Sequence, residues 1–265
     1  MADEKPHICV VMLGHVDSGK STIAGHLLYQ CGMVEKKTLD KYEREAEELL
    51  GRGAGPSRKY AWVLDALRAE RERGLTMDIK LWQFASPARS FTLIDAPGSR
   101  DFIKNAITGA SQADAAVLVV DAARGAFEAG MARAGQTREH ATIAGALGVK
   151  HLVVAVNKVD ACEGGDAERR YEEIKREVGG YLKKVGYKPS RVAYVPVAGL
   201  RGDNLRERSD ALAWHAGSTL LEALDGLAPP KRRVEAAAAL RIPIQDVYKV
   251  RPSRPMSACL LPCRH

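Results

Sequence analysis

Shortages narrow the field before any motif is read. Aromatic residues make up 6% of the 265 positions. No apolar run reaches the ~18 residues needed to span a bilayer, which argues against a membrane partner. The five cysteines, Cys9, Cys31, Cys162, Cys259 and Cys263, are odd in number and scattered. No secretory segment precedes them, because the N-terminal "MADEKPHICVVMLG" is charged and its apolar part has only the length of a strand. This usage argues against a disulfide scaffold and predicts a reduced, cytoplasmic protein. There are no internal repeats. What is present is 46% apolar and 28% charged, the balance of a soluble globule with a net charge of +7. The basic excess favours an anionic partner, RNA foremost, but says nothing of fold.

Short apolar runs alternate with helical patterns. "HICVVMLG" (7–14), "SFTLID" (90–95), "AAVLVVD" (115–121), "HLVVAVN" (151–157) and "RVAYVPV" (191–197) read as strands buried on both faces. Helix-like segments lie near 20–30, 101–110, 136–147, 168–185 and 218–226. Such alternation predicts an α/β fold, three layers with a mostly parallel sheet. The charged insertion over 36–74 reads as two solvent-facing helices joined by a Gly/Pro loop at 51–56. Its "RAERERG" run (68–74) reads as a solvated face. Trp62 and Trp82 have the spacing of core residues. The expected organisation is a nucleotide-binding domain over 1–228, a linker over 229–239, one strand of an incomplete second domain over 240–250, and an aperiodic tail over 251–265. Cys259, Cys263 and His265 stand close together there but lack a second pair of metal ligands.

Three motifs carry chemistry, each at the end of an apolar strand. Gly14-His15-Val16-Asp17-Ser18-Gly19-Lys20-Ser21-Thr22 fits a phosphate loop, strand before and helix after. Backbone N–H groups of such a turn cradle phosphate, Lys20 reaches the β- and γ-phosphates, and the Ser21 hydroxyl is a Mg²⁺ ligand. In Asp95-Ala96-Pro97-Gly98, Asp95 is placed to hold the metal through water, and the Gly98 amide to donate to the γ-phosphate. In Asn157-Lys158-Val159-Asp160, the Asp160 carboxylate can accept from the N1–H and exocyclic amine of guanine, a pair that adenine does not offer. The Lys158 stem can lie along the base, and Asn157 can tie this loop to the phosphate loop. His15 and His140 have no visible nucleophile or acid partner and read as structural, with His15 inside the phosphate loop.

The stretches "GHVDSGKST", "KYAWVLD", "ERERGLTMDI", "DAPGSRDFIKN", "ITGASQADAAVLVV", "GQTREHA", "VNKVD", "RYEEI" and "GDNL" resemble the guanine-nucleotide domain of the translational GTPases, elongation factor 1-alpha most closely. "GMVEKKTLDKYEREAEE" and "RGAFEAG" are similar to the termination and ribosome-rescue members. The resemblance covers about Glu4 to Val250. It implies GTP or GDP with Mg²⁺, the ribosome, tRNA and a nucleotide exchange factor as partners, and GTP hydrolysis. It gives Thr76 a switch role, meeting Mg²⁺ and the γ-phosphate, so the implied metal set is Ser21, Thr76 and Asp95. "VAGL" matches the loop that contacts the base oxygen, here Ala198, Gly199 and Leu200. Ala198 replaces the usual serine, with a modest loss of affinity expected.

Two departures matter. The residue after Asp-Ala-Pro-Gly, a water-orienting histidine in this family, is Ser99 here. The catalytic positions implied are thus Ser99, Asp95, Gly98 and Thr76, with hydrolysis expected to be impaired because serine cannot reach as far as an imidazole. The family's two β-barrels are also expected to be missing, apart from the strand over 240–250. Two other readings stand beside a slow GTPase: a non-hydrolysing guanine-nucleotide module acting through a partner, and a truncated product without stable function.

Overall fold

The computed structural model describes residues 5–51, 55–65, 67–162 and 166–230. The strands are β1 (His7–Gly14), β2 (Lys80–Ala85), β3 (Ser90–Asp95), β4 (Ala115–Asp121), β5 (His151–Asn157) and β6 (Val192–Pro196). The helices are α1 (Lys20–Gln30), α2 (Lys36–Leu50), α3 (Arg58–Ala61), α4 (Arg68–Arg73), α5 (Ile103–Ser111), α6 (Ala126–Met131), α7 (Gln136–Ala146), α8 (Ala167–Val185) and α9 (Leu220–Asp225). They build one sheet in the order β2-β3-β1-β4-β5-β6, parallel except for β2, which runs antiparallel to β3. The expected three-layer α/β fold is present.

The layering follows from the pleat, which sends successive side chains to opposite faces. In β4, Ala115, Val117 and Val119 join Ile23, Leu27 and Leu28 of α1 and Leu220 and Leu224 of α9. Ala116, Leu118 and Val120 face the other way, onto Ala106 of α5, Ala141 of α7 and Ile174 of α8. Every residue of β4 is buried, as a run of apolar residues covered on both faces requires. β1 lies between β3 and β4, so the chain order reverses beside it. In an open sheet of this kind, ligands bind at such a switch point, beyond the carboxyl ends of the strands.

Two expectations change. The insertion over 36–74 forms three helices, not two, and it does not simply face solvent. Leu39 and Ala46 of α2 and Trp62, Val63 and Leu64 after α3 are buried, because the apolar centre of "KYAWVLD" folds onto α1. In the "RAERERG" run, Arg68, Glu72 and Arg73 are exposed, but Glu70 is fully buried and Arg71 half-buried. The strand β2 was not expected: it is an edge with only Phe84 buried, so its period is weak.

The chain divides into two compact units, Met1–Pro229 and Pro230–His265. The strand expected over 240–250, the tail 251–265 and all but the first two residues of the linker over 229–239 lie outside the described residues. Among the described residues, no helix is long and apolar enough to cross a membrane.

Candidate functional site

The loop after β1 is built around close approaches. Gly14 has φ +144°, and a Cβ there would collide with the backbone oxygen of Val119 in β4. Gly19 has φ +92°, and its Cβ would collide with Asn157 Nδ2. Only glycine tolerates both the backbone angle and the contact. From below, Gly14 N–H donates to His140 Nδ1 at 3.0 Å. His140 is fully buried in α7, and burial pushes its pKa down to about 3, so the ring is a neutral acceptor. His140 was read from sequence as a helical residue without a catalytic partner. Its place beneath Gly14 depends on a contact 126 residues apart, for which the sequence carries no local signal.

The loop after β5 is laced to this one. Asn157 Nδ2 donates to Ser18 O at 2.7 Å, and Asn157 Oδ1 accepts from Gly199 N–H at 2.9 Å. His26 Nδ1, on the helix that the phosphate loop opens, donates to Gly199 O at 2.8 Å and stacks on Tyr60 with ring centroids 3.9 Å apart. Lys158 is left-handed at φ +63°. Its Nζ donates to Asp17 O at 2.7 Å and to Asp121 Oδ2 at 2.5 Å.

Oxygen donors gather at the other end. Ser21 Oγ donates to Asp95 Oδ2 at 2.7 Å and lies 3.0 Å from Thr76 Oγ1, which in turn is 3.5 Å from Asp65 Oδ1. Burial raises Asp95 to about 6, against the opposing pull of the Ser21 hydrogen bond and Lys20. Burial, then the charges of Asp95 and Glu70, raise Asp65 to about 7. Lys20 is itself buried and lowered to about 8, with its Nζ donating to Gly14 O at 3.2 Å and His15 O at 2.8 Å. Asp65, from "KYAWVLD", was not among the site residues expected. The segment carrying Thr76 hangs on the buried Glu70 carboxylate, which accepts from the N–H groups of Leu67 (3.1 Å), Met77 (2.9 Å) and Asp78 (3.1 Å).

These walls enclose a cleft of about 430 Å³. Of the expected site residues, Val16, Asp17, Gly19, Lys20, Ser21, Thr22, Thr76, Gly98, Ser99, Asn157, Lys158, Asp160, Gly199 and Leu200 line it. Gly14, Ser18, Asp95 and Ala198 are buried and His15 half-buried, none of them on the cleft wall. Ala198 sits in a tight turn, its N–H donating to Asp203 O and its carbonyl accepting from Gly202 N–H. Gly98 lies against Lys20, where a Cβ would strike Nζ. Ser99 caps the short 3₁₀ turn Arg100–Phe102, its Oγ accepting from Asp101 N–H at 3.3 Å.

Residues 5–230 match the family described as the Elongation factor Tu GTP binding domain. The chain belongs to that family. This GTP-binding domain is 57% identical over 250 residues to elongation factor 1-alpha of Euglena gracilis, covering 94% of this chain and 55% of that protein. It is 55% identical over 247 residues to elongation factor 1-alpha of Tetrahymena pyriformis, covering 93% and 55%. The chain thus spans about half the length of the curated relatives it matches. Among solved structures it is similar to sup35 complexed with GDP, at 36% identity and TM-score 0.61, over 86% of this chain and 47% of that one. It is also similar to the S. cerevisiae Ski7 GTPase-like domain bound to GTP, at 27% identity and TM-score 0.72, over 83% and 49%.

Proposed function

We propose that this chain is a Mg²⁺-dependent GTP switch of the translation apparatus whose own hydrolysis is slow. The observation that carries the second half is Ser99, which ends one bond beyond Cβ and whose oxygen accepts the Asp101 N–H as a cap. A group so short and so engaged is poorly suited to orienting an attacking water.

The cleft and the residues packed behind it support the remaining roles. The backbone of Gly14 to Thr22 cradles the phosphates, Lys20 neutralises them, and Gly98 donates its amide beside Lys20. Asp160 selects guanine, Lys158 lies along the base, and the loop of Ala198, Gly199 and Leu200 closes over its edge. The orphaned Asp95 Oδ1, buried and without a hydrogen-bond partner, together with Ser21, Thr76 and Asp65, is a hard-oxygen set that suits Mg²⁺. Among the described residues no cluster of three or more His, Cys, Asp or Glu offers a metal cage. Bound there, Mg²⁺ would screen the charge that grows on the phosphates during hydrolysis. Ser21 and Thr76 would hold the ion directly and Asp95 through water. The family resemblance supports the cytoplasm as its place and the ribosome, tRNA and an exchange factor as its partners.

The test is single-turnover GTP hydrolysis by the full chain beside Ser99→His, after both are seen to bind GTP. A rise of about 10² or more with histidine is expected. Equal rates would place the limit elsewhere and overturn the role given to Ser99. A non-hydrolysing module is the second reading, favoured by the same Ser99 cap. It would show no turnover in either form, even with ribosomes, while still binding nucleotide. A product without stable function would show no thermal shift at all with GTP and Mg²⁺, whereas saturation at 100 times Kd adds ~2.7 kcal/mol.

A further inference from the structure

Arg58 is the one cleft-lining cation that neither the motifs nor the roles above use. It opens α3, on the wall that also carries Ser57, Trp62 and Asp65, and it faces the same cavity as Lys20, Thr76 and Ser99. Its guanidinium lies across Gly74, two residues before Thr76. A Cβ built on Gly74 would stand 2.7 Å from Nη1 and 3.0 Å from Nη2. Gly74, left-handed at φ +67°, therefore leaves the space that the guanidinium takes. The side chain is half-buried, and no carboxylate among the described residues forms an ion pair with it. Its neighbour Lys59 is by contrast committed to Glu43 at 2.9 Å, and Arg71 to Glu45 at 3.5 Å. A half-buried guanidinium on the wall of a phosphate cleft, free of any acid, is suited to anionic oxygens.

We propose that Arg58 is a catalytic arginine supplied by the chain itself, contacting the transferring phosphate of GTP; this rests on the reading of the cleft as a GTPase site. In the step it serves, the oxygen of water forms a bond to the γ-phosphorus. The bond from that phosphorus to the β–γ bridging oxygen breaks, and its electron pair stays on the β-phosphate of GDP. The water protons pass to orthophosphate and solvent. Charge grows on the bridging and γ-oxygens as this happens. A guanidinium there stabilises the transition state more than the ground state, a role other GTPases fill with an arginine worth 10³–10⁵ in rate. With Ser99 poorly suited to placing the water, charge stabilisation carries more of the step, and Arg58 adds to what Lys20 and Mg²⁺ supply.

The test uses the full chain, Arg58→Ala and Arg58→Lys, each alone and with Ser99→His. GDP affinity, affinity for aluminium fluoride in the presence of GDP and Mg²⁺, and the single-turnover rate are measured. Arg58→Ala is expected to keep GDP affinity within about threefold, and to weaken aluminium fluoride binding and lower turnover each by about 10³-fold or more. Arg58→Lys restores part of both, since it keeps the charge and loses the fork. A wall residue of purely structural importance would change GDP and aluminium fluoride affinity together, and that outcome overturns the proposal. So does Arg58→Ala within twofold of the parent in both readouts. If the parent chain fails to bind GDP, the GTPase reading itself falls, and this inference with it.

Discussion

The phosphate loop and the segment carrying Thr76 are held in place by different means. The loop from Gly14 to Thr22 is fixed by backbone approaches: Gly14 against Val119 O, Gly19 against Asn157, and a buried neutral His140 beneath Gly14 N–H. The stretch from Leu67 to Asp78 is fixed by charged side chains: Glu70 gathers three backbone N–H groups, and Arg71 lies 4.9 Å over the Tyr42 ring and 5.0 Å over that of Trp62. Tight backbone approaches of this kind leave few other arrangements of similar energy, whereas a set of hydrogen bonds to one carboxylate can be exchanged for water. The switch proposed above needs one part that does not move and another that can be released, and the two kinds of fastening are suited to those parts.

The sharpest way to break the first kind is Gly14→Ala. A side chain there meets a backbone oxygen at a φ of +144°, and a loss on the order of 3 kcal/mol or more is expected from strain and overpacking together. Urea unfolding reads it as a lowered midpoint at constant slope.

Glu70→Ala breaks the second kind. Three N–H groups lose their acceptor, for about 2–3 kcal/mol. The loss should stay local: trypsin should cut faster after Arg71 and Arg73, while GDP affinity changes less than GTP affinity. Equal losses for both nucleotides would mean that the segment is as much part of the rigid frame as the loop is.

A third measurement sharpens the contrast through pH. The folded pKa of His140, about 3, lies below the ordinary 6.5, so the unfolded chain binds the proton more tightly. Its contribution to stability is therefore complete above pH 6.5 and is lost as pH falls towards 3. Between pH 7 and pH 5 the loss is about 2 kcal/mol. His140→Gln should flatten that part of the curve, read by denaturant midpoints at each pH.

Arg71→Lys is the smallest change. It keeps the charge and loses the planar contact between two rings, so about 1 kcal/mol is expected, with GDP binding unchanged. Thermal melts of the two proteins side by side would register it.

Charge is distributed unevenly too. Residues 231–265 carry eight basic and two acidic side chains, which is +6 of the chain's +7. The nucleotide domain itself is close to neutral, so the basic balance gives no reason to expect RNA on its surface.

Five of the six strands and the three nucleotide motifs could be read directly, because each is a local pattern. A run such as Ala115–Asp121 is apolar at every position only if both faces are covered, and a strand followed by Gly14 to Thr22 has few other uses. β2 escaped because an edge with one buried residue has no strong period. Glu70 looked like surface because charge usually is. Its burial depends on the N–H groups of Met77 and Asp78 being brought to it by a turn that no local spacing announces. In the same way His140 meets Gly14 across 126 residues, and His26 meets Gly199 across 173. Sequence alone therefore determined which segments would be strands and where the three motifs of the proposed phosphate and guanine contacts would stand, all properties of neighbouring residues. The tertiary structure decided what holds those loops, and where Arg58 stands, because strand order alone brings distant ends of the chain to the same edge of the sheet.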